Sequence, residues 1–145
     1  QERAAYWFMQ AANGGHAGAQ YQVGMMHLRG FEEDDDPLRE GSYVPLPLDR
    51  PLAVQWLERA ARADHAEAMC ELGMCLLRGI GTDVDMESSR TWFEKSAAKG
   101  VPEGMYQLGL CYERGKGVRP DAKRAVAYYR QAAELGLVNA QVALA

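Results

Sequence analysis

Apolar residues recur at every third or fourth position along most of the chain, and this spacing places them on one face of a helix. Helix-breaking runs separate these stretches, and aspartates that favour helix starts precede several of them. The helices predicted from these signals cover residues 2–13, 17–29, 49–63, 66–78, 85–99, 102–114 and 121–135. Because caps, breakers and apolar periods agree, we predict an all-α protein.

The predicted helices come in pairs, and the pairs repeat along the sequence. Six positions recur at an interval of 36 residues, namely Gly73 and Gly109, Gly79 and Gly115, Asp85 and Asp121, Trp92 and Tyr128, Ala97 and Ala133, and Gly100 and Gly136. Between Gly24 and Gly73 the interval grows to 49 residues, whereas Asp49 still precedes Asp85 by 36. A period of this length indicates a solenoid of stacked helix pairs, and its first repeat carries 13 extra residues between Gly30 and Asp49.

The first helix of each pair, the A helix, contains a glycine near its middle, at Gly24, Gly73 and Gly109. A glycine inside a helix costs roughly 1 kcal/mol relative to alanine. Its recurrence therefore predicts a close helix crossing, where the missing side chain lets a neighbouring Trp or Tyr approach.

The clearest copy of the repeat lies between Met105 and Gly136. Its matching residues are Leu108, Gly109, Tyr112, Gly115, Gly117, Val118, Asp121, Lys123, Ala125, Tyr128, Tyr129, Ala132, Ala133 and Gly136. This pattern closely resembles the Sel-one-like repeat (SLR) family, whose members are related to tetratricopeptide repeats. The resemblance extends over nearly the whole chain and implies a right-handed α/α superhelical solenoid of antiparallel helix pairs. The first repeat departs from the pattern, because His27 stands where the third repeat has Tyr112 and the insertion replaces the Gly-x-Gly turn.

Residues 1–145 are expected to form a single solenoid, which the repeat divides into segments. The second helix, or B helix, of a preceding repeat covers residues 1–16, followed by repeat 1 at 17–65 with its inserted loop at 31–48, repeat 2 at 66–101, repeat 3 at 102–137 and the start of a further repeat at 138–145. We expect a piece of a longer solenoid, because Gln1 begins one residue after the expected helix cap and Ala145 falls inside a helix. Apolar residues left without neighbours, such as Val142 and Leu144, could support end-to-end self-association of the isolated piece.

The inserted loop has two chemically different halves. Glu32 to Asp36 form an acidic run, and Tyr43 to Leu48 contain two prolines that favour an extended path. With six acidic residues and one arginine the loop carries a charge of −5, so the rest of the chain is nearly neutral. We expect the acidic half to stay solvated and the second half to pack along the solenoid, where it would shape one end of a groove. The alternative is a connector without a role.

The A helices line the concave side of helical-hairpin solenoids. By analogy with tetratricopeptide repeats, three positions per A helix face this groove: three residues before, one after and four after the internal glycine. They hold Tyr21, Met25 and Leu28 in repeat 1, Cys70, Met74 and Leu77 in repeat 2, and Tyr106, Leu110 and Glu113 in repeat 3. Tyr, Met and Leu suit an apolar peptide or a partner helix, since Met adapts its shape to its contacts. The alternative is that this stripe packs against the B helices or against flanking repeats.

One serine motif points to an enzyme. Ser96 and Lys99 match the S-x-x-K pattern of serine β-lactamases and penicillin-binding enzymes, and some SLR proteins have been described as penicillin-binding. The repeat offers another explanation, because Ser96 occupies the position of Ala60 and Ala132, and neither S-D-N nor K-T-G occurs. We therefore expect no catalytic residues and a non-enzymatic adaptor that binds a peptide or protein partner. The alternative is a penicillin-binding or hydrolase-type enzyme of the SLR family.

The cysteines and histidines fit structural roles. Cys75 and Cys111 occupy the same position in successive repeats, so they should lie about 8 to 10 Å apart, beyond the reach of a disulfide. We expect reduced cysteines that act as small apolar residues. His16 and His65 each stand just before an A helix, where a helix-start role is expected. No His or Cys has a second ligand at metal spacing, and the acidic run lacks the order of a calcium loop, so we expect no metal and no cofactor.

Charge and composition argue against two further classes of partner. With 16 basic and 20 acidic residues the chain has a formal charge of −4, and no basic stripe alternates with aromatics, which argues against nucleic-acid binding. Apolar residues make up 48% of the chain, but no apolar run approaches the length that a membrane helix needs, so no direct membrane insertion is expected. The sequence does not decide the compartment, although the cytoplasm is favoured.

Overall fold

A computed structural model of the protein describes residues 4–29 and 48–145, with side chains from residue 7 onward. These ranges contain eight helices and no strand: α1 Ala4–Asn13, α2 Ala17–Arg29, α3 Arg50–Arg62, α4 Ala66–Arg78, α5 Met86–Ala98, α6 Pro102–Arg114, α7 Ala122–Glu134 and α8 Val138–Leu144. The prediction of an all-α protein is confirmed, and the bounds predicted for α2 to α7 agree within one residue.

The helices stack in the order of the sequence. The most extensive contacts join α2 to α3, α4 to α5 and α6 to α7, and each of these A-B pairs also packs against the pair that follows it. Contacts between neighbours along the chain are what a solenoid requires, because each repeat buries its apolar face only against adjacent repeats.

Aspartates at one repeated position begin the B helices. The Oδ1 atoms of Asp49, Asp85 and Asp121 accept hydrogen bonds from backbone N–H groups in the first turns of α3, α5 and α7, at 3.1 to 3.2 Å. Two A helices are capped differently, because Nδ1 of His16 and of His65 accepts the N–H of the residue three positions later at 3.0 and 3.2 Å. The predicted helix-start role of these histidines is confirmed.

Each A helix crosses its B helix closely at the internal glycine. A Cβ atom at Gly73 would lie 2.7 Å from the Phe93 ring, and one at Gly109 would lie 2.8 Å from the Tyr129 ring. The equivalent glycine of repeat 1 would place its Cβ 3.1 Å from the Leu57 side chain. The close crossing is confirmed, but the predicted Trp or Tyr is wrong for two repeats, because the side chain at the contact is Leu or Phe there.

The insertion in repeat 1 does not change how the B helix attaches. In all three repeats the N–H of the capping aspartate donates to an A-helix carbonyl at 2.9 Å: Asp49 to His27, Asp85 to Leu76 and Asp121 to Tyr112. The chain thus returns from its longer connection to the position that the other repeats occupy. The acidic run and the proline-containing half expected in this loop lie outside the described residues, except Leu48, which is 58% exposed.

The core is a series of apolar clusters along the stack rather than one centre. Phe93, Leu57 and Leu108 are among its largest fully buried side chains. Cys75 and Cys111 are free thiols inside these clusters, and burial raises the pKa of Cys75 to about 11. Among the described helices none has the length and apolar character needed to cross a membrane.

Candidate functional site

A cleft of about 440 Å³ opens between two successive A helices, α4 and α6, next to α8. We call it the A-helix cleft, and its lining residues are Met74, Leu77, Arg78, Glu103, Tyr106, Gln107, Leu110, Cys111, Arg114, Lys116 and Asn139. Four of the predicted groove residues are among them: Met74, Leu77, Tyr106 and Leu110. The cleft thus combines four predicted groove residues with residues at other positions, among them Arg78 and Arg114, which occupy the same position in successive repeats.

The four predicted residues form the apolar part of the cleft. Each is half-buried and packs on one side against the core cluster that contains Phe93 and Leu108. Tyr106 is further held by Tyr129, whose ring centroid lies 5.7 Å away. Because the core fixes one side of each side chain, the other side presents apolar surface without a large loss of rotamer freedom on binding.

Polar residues complete the lining. Arg78 and Arg114 are the last residues of α4 and α6, where the helix dipole favours a cation. Gln107 donates a hydrogen bond to Glu103 at 3.0 Å. Counting Lys116, the cleft has three cations and one carboxylate, and none of the three cations forms a salt bridge within residues 4–29 and 48–145.

The other five predicted groove residues lie outside this cleft. Tyr21 stacks on His65, the residue that caps α4, at 4.7 Å between ring centroids, and burial raises the pKa of the Tyr21 hydroxyl. Met25 and Cys70 are only 7% and 5% exposed, and Leu28 is half-buried against the neighbouring core. Glu113 is exposed and accepts a hydrogen bond from the Tyr129 hydroxyl. Contact of these five with a partner stays a prediction.

Family comparison accounts for the repeat. The family model of the Sel1 repeat matches residues 1–16, 17–37, 38–65, 66–101 and 102–137. The chain belongs to the Sel1 repeat family. Proteins of this family commonly serve as scaffolds for protein interactions.

Solved structures of Sel1 repeat proteins have the same fold. The chain is 31% identical to c5321, a protective antigen of uropathogenic Escherichia coli with an SLR fold, with a TM-score of 0.78 over 92% of this chain and 26% of that one. It is 29% identical to a Sel1 repeat protein from Oxalobacter formigenes, with a TM-score of 0.79 over 99% and 98% of the two chains. Helicobacter pylori cysteine-rich protein B is 20% identical with a TM-score of 0.65 over 98% of both chains, which is a likeness of fold alone. No curated protein matches the chain significantly.

In the Sel1 repeat frame, Ser96 has a packing role. It is fully buried, its hydroxyl donates to the Phe93 carbonyl at 3.0 Å, and a Cβ at Gly104 would lie 2.0 Å from its Oγ. Lys99 forms a salt bridge with Asp64 instead of approaching the serine. This geometry gives no support to Ser96 as a nucleophile, because its hydroxyl is buried and donates its hydrogen bond to a backbone carbonyl rather than to a base. The described residues also contain no group of three His, Cys, Asp or Glu side chains arranged to hold a metal ion.

The predicted groove did not include the six polar residues of the A-helix cleft, namely Arg78, Glu103, Gln107, Arg114, Lys116 and Asn139. Glu103 and Gln107 lie on the same face of α6 as Leu110, at helical spacings of four and three residues, so a helical projection could have found them. Asn139 belongs to α8, which starts the next repeat. Its position depends on stacking between repeats, and no local signal in the sequence gives it.

Proposed function

We propose that this Sel1 repeat chain is a non-enzymatic scaffold that binds a peptide or protein partner in the A-helix cleft. The observation that carries the proposal is the set of half-buried apolar side chains on two successive A helices, Met74 and Leu77 from α4 and Tyr106 and Leu110 from α6. Removing such surface from water favours binding by roughly 25 cal/mol per Å².

The size of the cleft supports a short apolar anchor. Clefts that bind small ligands measure about 300 to 1,000 Å³, so a volume of about 440 Å³ has room for one or two large side chains of a peptide. Apolar side chains at helical spacing on a partner would meet Leu77 and Leu110 together, as in other complexes that place a helix in a groove.

The remaining predicted groove residues would extend the binding surface towards repeat 1. A partner that continues along the A helices would next meet Tyr21 and Leu28, which are half-buried. Met25 and Cys70 would support this surface from beneath, since they are nearly fully buried. We assign Glu113 a smaller role, because its carboxylate already accepts the Tyr129 hydroxyl.

The proposal is tested by selecting binders from a displayed peptide library on the purified chain and measuring their affinities for matched variants. Leu110→Glu and the milder Leu77→Gln place polarity in the cleft, and Leu135→Glu changes a leucine that is 55% exposed outside it. We expect the cleft variants to weaken selected peptides roughly tenfold or more, because each replaces apolar contact surface with a polar group that the bound peptide would remove from water.

Circular dichroism must show unchanged helicity in every variant that is compared. Leu135→Glu should leave the affinities unchanged. Selected peptides that bind Leu110→Glu and Leu77→Gln as well as the unaltered chain would contradict binding in this cleft.

A further inference from the structure

Two equivalent tryptophans on successive B helices differ in their surroundings. Trp56 in α3 and Trp92 in α5 occupy the same repeat position, and each carries a cation over its ring: Arg59 at 4.9 Å and Lys95 at 4.5 Å from the ring centroid. Trp56 is 7% exposed and packs into a core cluster with Ala12. Trp92 is half-buried and lines an open cleft. The repeat geometry thus covers one tryptophan and leaves the other accessible.

This second cleft measures about 770 Å³ and lies among α3, α4, α5 and the turn after α3. We call it the basic cleft, and the argument uses six of its lining residues: Arg62, Asp64, Met69, Trp92, Lys95 and Lys99. It shares no lining residue with the A-helix cleft. Binding here would therefore be a separate property from the proposed function.

The charges of the basic cleft are unbalanced. Three cationic side chains line the cleft with one carboxylate, that of Asp64. Lys99 pairs with Asp64, and Arg62 pairs at 2.7 Å with Glu58, which lies outside the lining. Within the described parts of the chain no salt bridge involves Lys95, whose contact is with the Trp92 ring. Lys95 is therefore the cation of the cleft that can pair with a carboxylate of a ligand, in a chain whose total charge is −4.

Apolar surface lies directly beside these cations. The Trp92 ring and the Met69 side chain line the same cleft, and Met69 is buried. A ligand that satisfies both features carries a carboxylate next to an aliphatic or aromatic side chain. Acidic peptide segments have this chemistry, since a carboxylate pairs with Lys95 while the adjacent apolar side chain packs on the tryptophan.

We propose that the basic cleft is a second docking site, and that it takes an acidic peptide segment of a partner protein with an apolar side chain beside its carboxylate. A nucleic acid fits less well, because a polyanion gains affinity from several cations at once, whereas Arg62 and Lys99 are already paired and the Asp64 carboxylate would repel phosphates.

The repeat supplies a matched control for this site. Lys95→Glu reverses a charge in the basic cleft, and Arg59→Glu reverses the equivalent charge one repeat earlier, over the covered Trp56. Both variants change the total charge equally. A difference between them therefore reports on the cleft rather than on long-range electrostatics.

The test is fluorescence polarisation with a labelled peptide of alternating Glu and Leu residues, beside a peptide of alternating Gln and Leu and a single-stranded oligonucleotide. We expect the Glu-Leu peptide to bind the unaltered chain more tightly than either other probe. Lys95→Glu should weaken it roughly fivefold to tenfold, because an attraction becomes a repulsion, while Arg59→Glu should leave it within about twofold. Leu110→Glu in the A-helix cleft should leave it unchanged, so this proposal and the proposed function can fail separately.

Four outcomes would overturn the proposal: no binding of the Glu-Leu peptide, equal binding of the Gln-Leu peptide, equal weakening by Arg59→Glu, or tighter binding of the oligonucleotide that Lys95→Glu also abolishes. The last of these would assign the cleft to nucleic acid. Lys95 is exposed, and its replacement should leave the fold intact, which thermal unfolding checks.

Discussion

Two kinds of connection join the helices of this chain, and glycine recurs in both for different reasons. The short turn from a B helix to the next A helix has its glycine at Gly100 and Gly136, with φ of 88° and 89° and nothing within 4 Å of an added Cβ. Asp64 holds the equivalent position of the preceding turn with φ of 73°. This turn needs a left-handed backbone, but it has room for a side chain.

The longer connection from an A helix to its B helix is confined by the preceding repeat. Gly81 and Gly117 have φ of 70° and 69°, and a Cβ there would lie 2.3 Å from the carbonyl oxygen of Arg50 or of Met86. Those two residues begin the B helices α3 and α5 of the preceding repeats. The glycine of the short turn is therefore needed only for its left-handed backbone. The glycine of the longer connection also lets two repeats come into contact. Recurrence in the sequence does not separate the two.

The strongest test of this comparison is Gly117→Ala against Gly136→Ala. We expect Gly117→Ala to lower the free energy of unfolding by roughly 2 to 5 kcal/mol, since it adds a clash with the Met86 carbonyl to the cost of a left-handed alanine. Gly136→Ala should lower the free energy of unfolding only by the cost of a left-handed alanine, about 1 to 2 kcal/mol. Urea unfolding followed by circular dichroism measures both. Equal losses would show that backbone conformation alone explains both glycines.

The glycines inside the A helices form a case between these two, because the atoms nearest to an added Cβ belong to side chains of the B helix. Gly73→Ala should lower the free energy of unfolding by roughly 1 to 3 kcal/mol, since its Cβ would lie 2.7 Å from the rigid Phe93 ring. Gly24→Ala should cost less than half of that, because its Cβ would lie 3.1 Å from Leu57 and 3.2 Å from the Ala53 carbonyl oxygen, so that its neighbours need to shift by only a few tenths of an ångström. The same unfolding experiment ranks them, and a loss for Gly24→Ala as large as for Gly73→Ala would contradict the role of ring contact.

Local signals in the sequence were sufficient to predict the helices. Contacts between neighbouring repeats decided which side chains are buried. Asp85, Asp121 and the αL glycines act within a few residues of their own position, so helix bounds followed from the sequence. The analogy with tetratricopeptide repeats named Met74 and Leu110 as groove residues, and both line the A-helix cleft.

Local signals could not predict which side chains the next repeat buries. Cys70 has the same helical position as Tyr106, yet it is 5% exposed, because it packs into the cluster with Phe93 that the next repeat completes. Trp56 and Trp92 likewise share one position and differ only in the neighbours around them. The basic cleft could therefore not be predicted from the sequence, because it depends on how successive repeats pack.

Helix caps give the smallest expected difference between the two connections. The longer connections end in an aspartate cap in all three repeats, whereas the short turns end in His16 or His65 in two cases and in Val101 and Leu137, without a side-chain cap, in the others. Only the aspartate caps should therefore add a carboxylate term to the pH dependence of stability.

For Asp85 the sign of this term follows from its hydrogen bonds. The backbone N–H of Ser88, at 3.1 Å, and the Ser88 hydroxyl, at 2.8 Å, hold the pKa of the Asp85 carboxyl below its usual value. The unfolded chain consequently binds this proton at a higher pH than the folded chain does. The contribution of Asp85 to stability should be complete above the unfolded pKa of about 4 and should disappear as the pH falls through the lower folded pKa.

Thermal unfolding of the unaltered chain and of Asp85→Asn between pH 6 and pH 2 measures this contribution. Glu134→Gln is the control, because Glu134 is exposed and accepts no capping bond. The difference in Tm between the unaltered chain and Asp85→Asn should shrink steadily below pH 4; a difference that stays constant to pH 2 would show that the cap stabilises the helix without its charge.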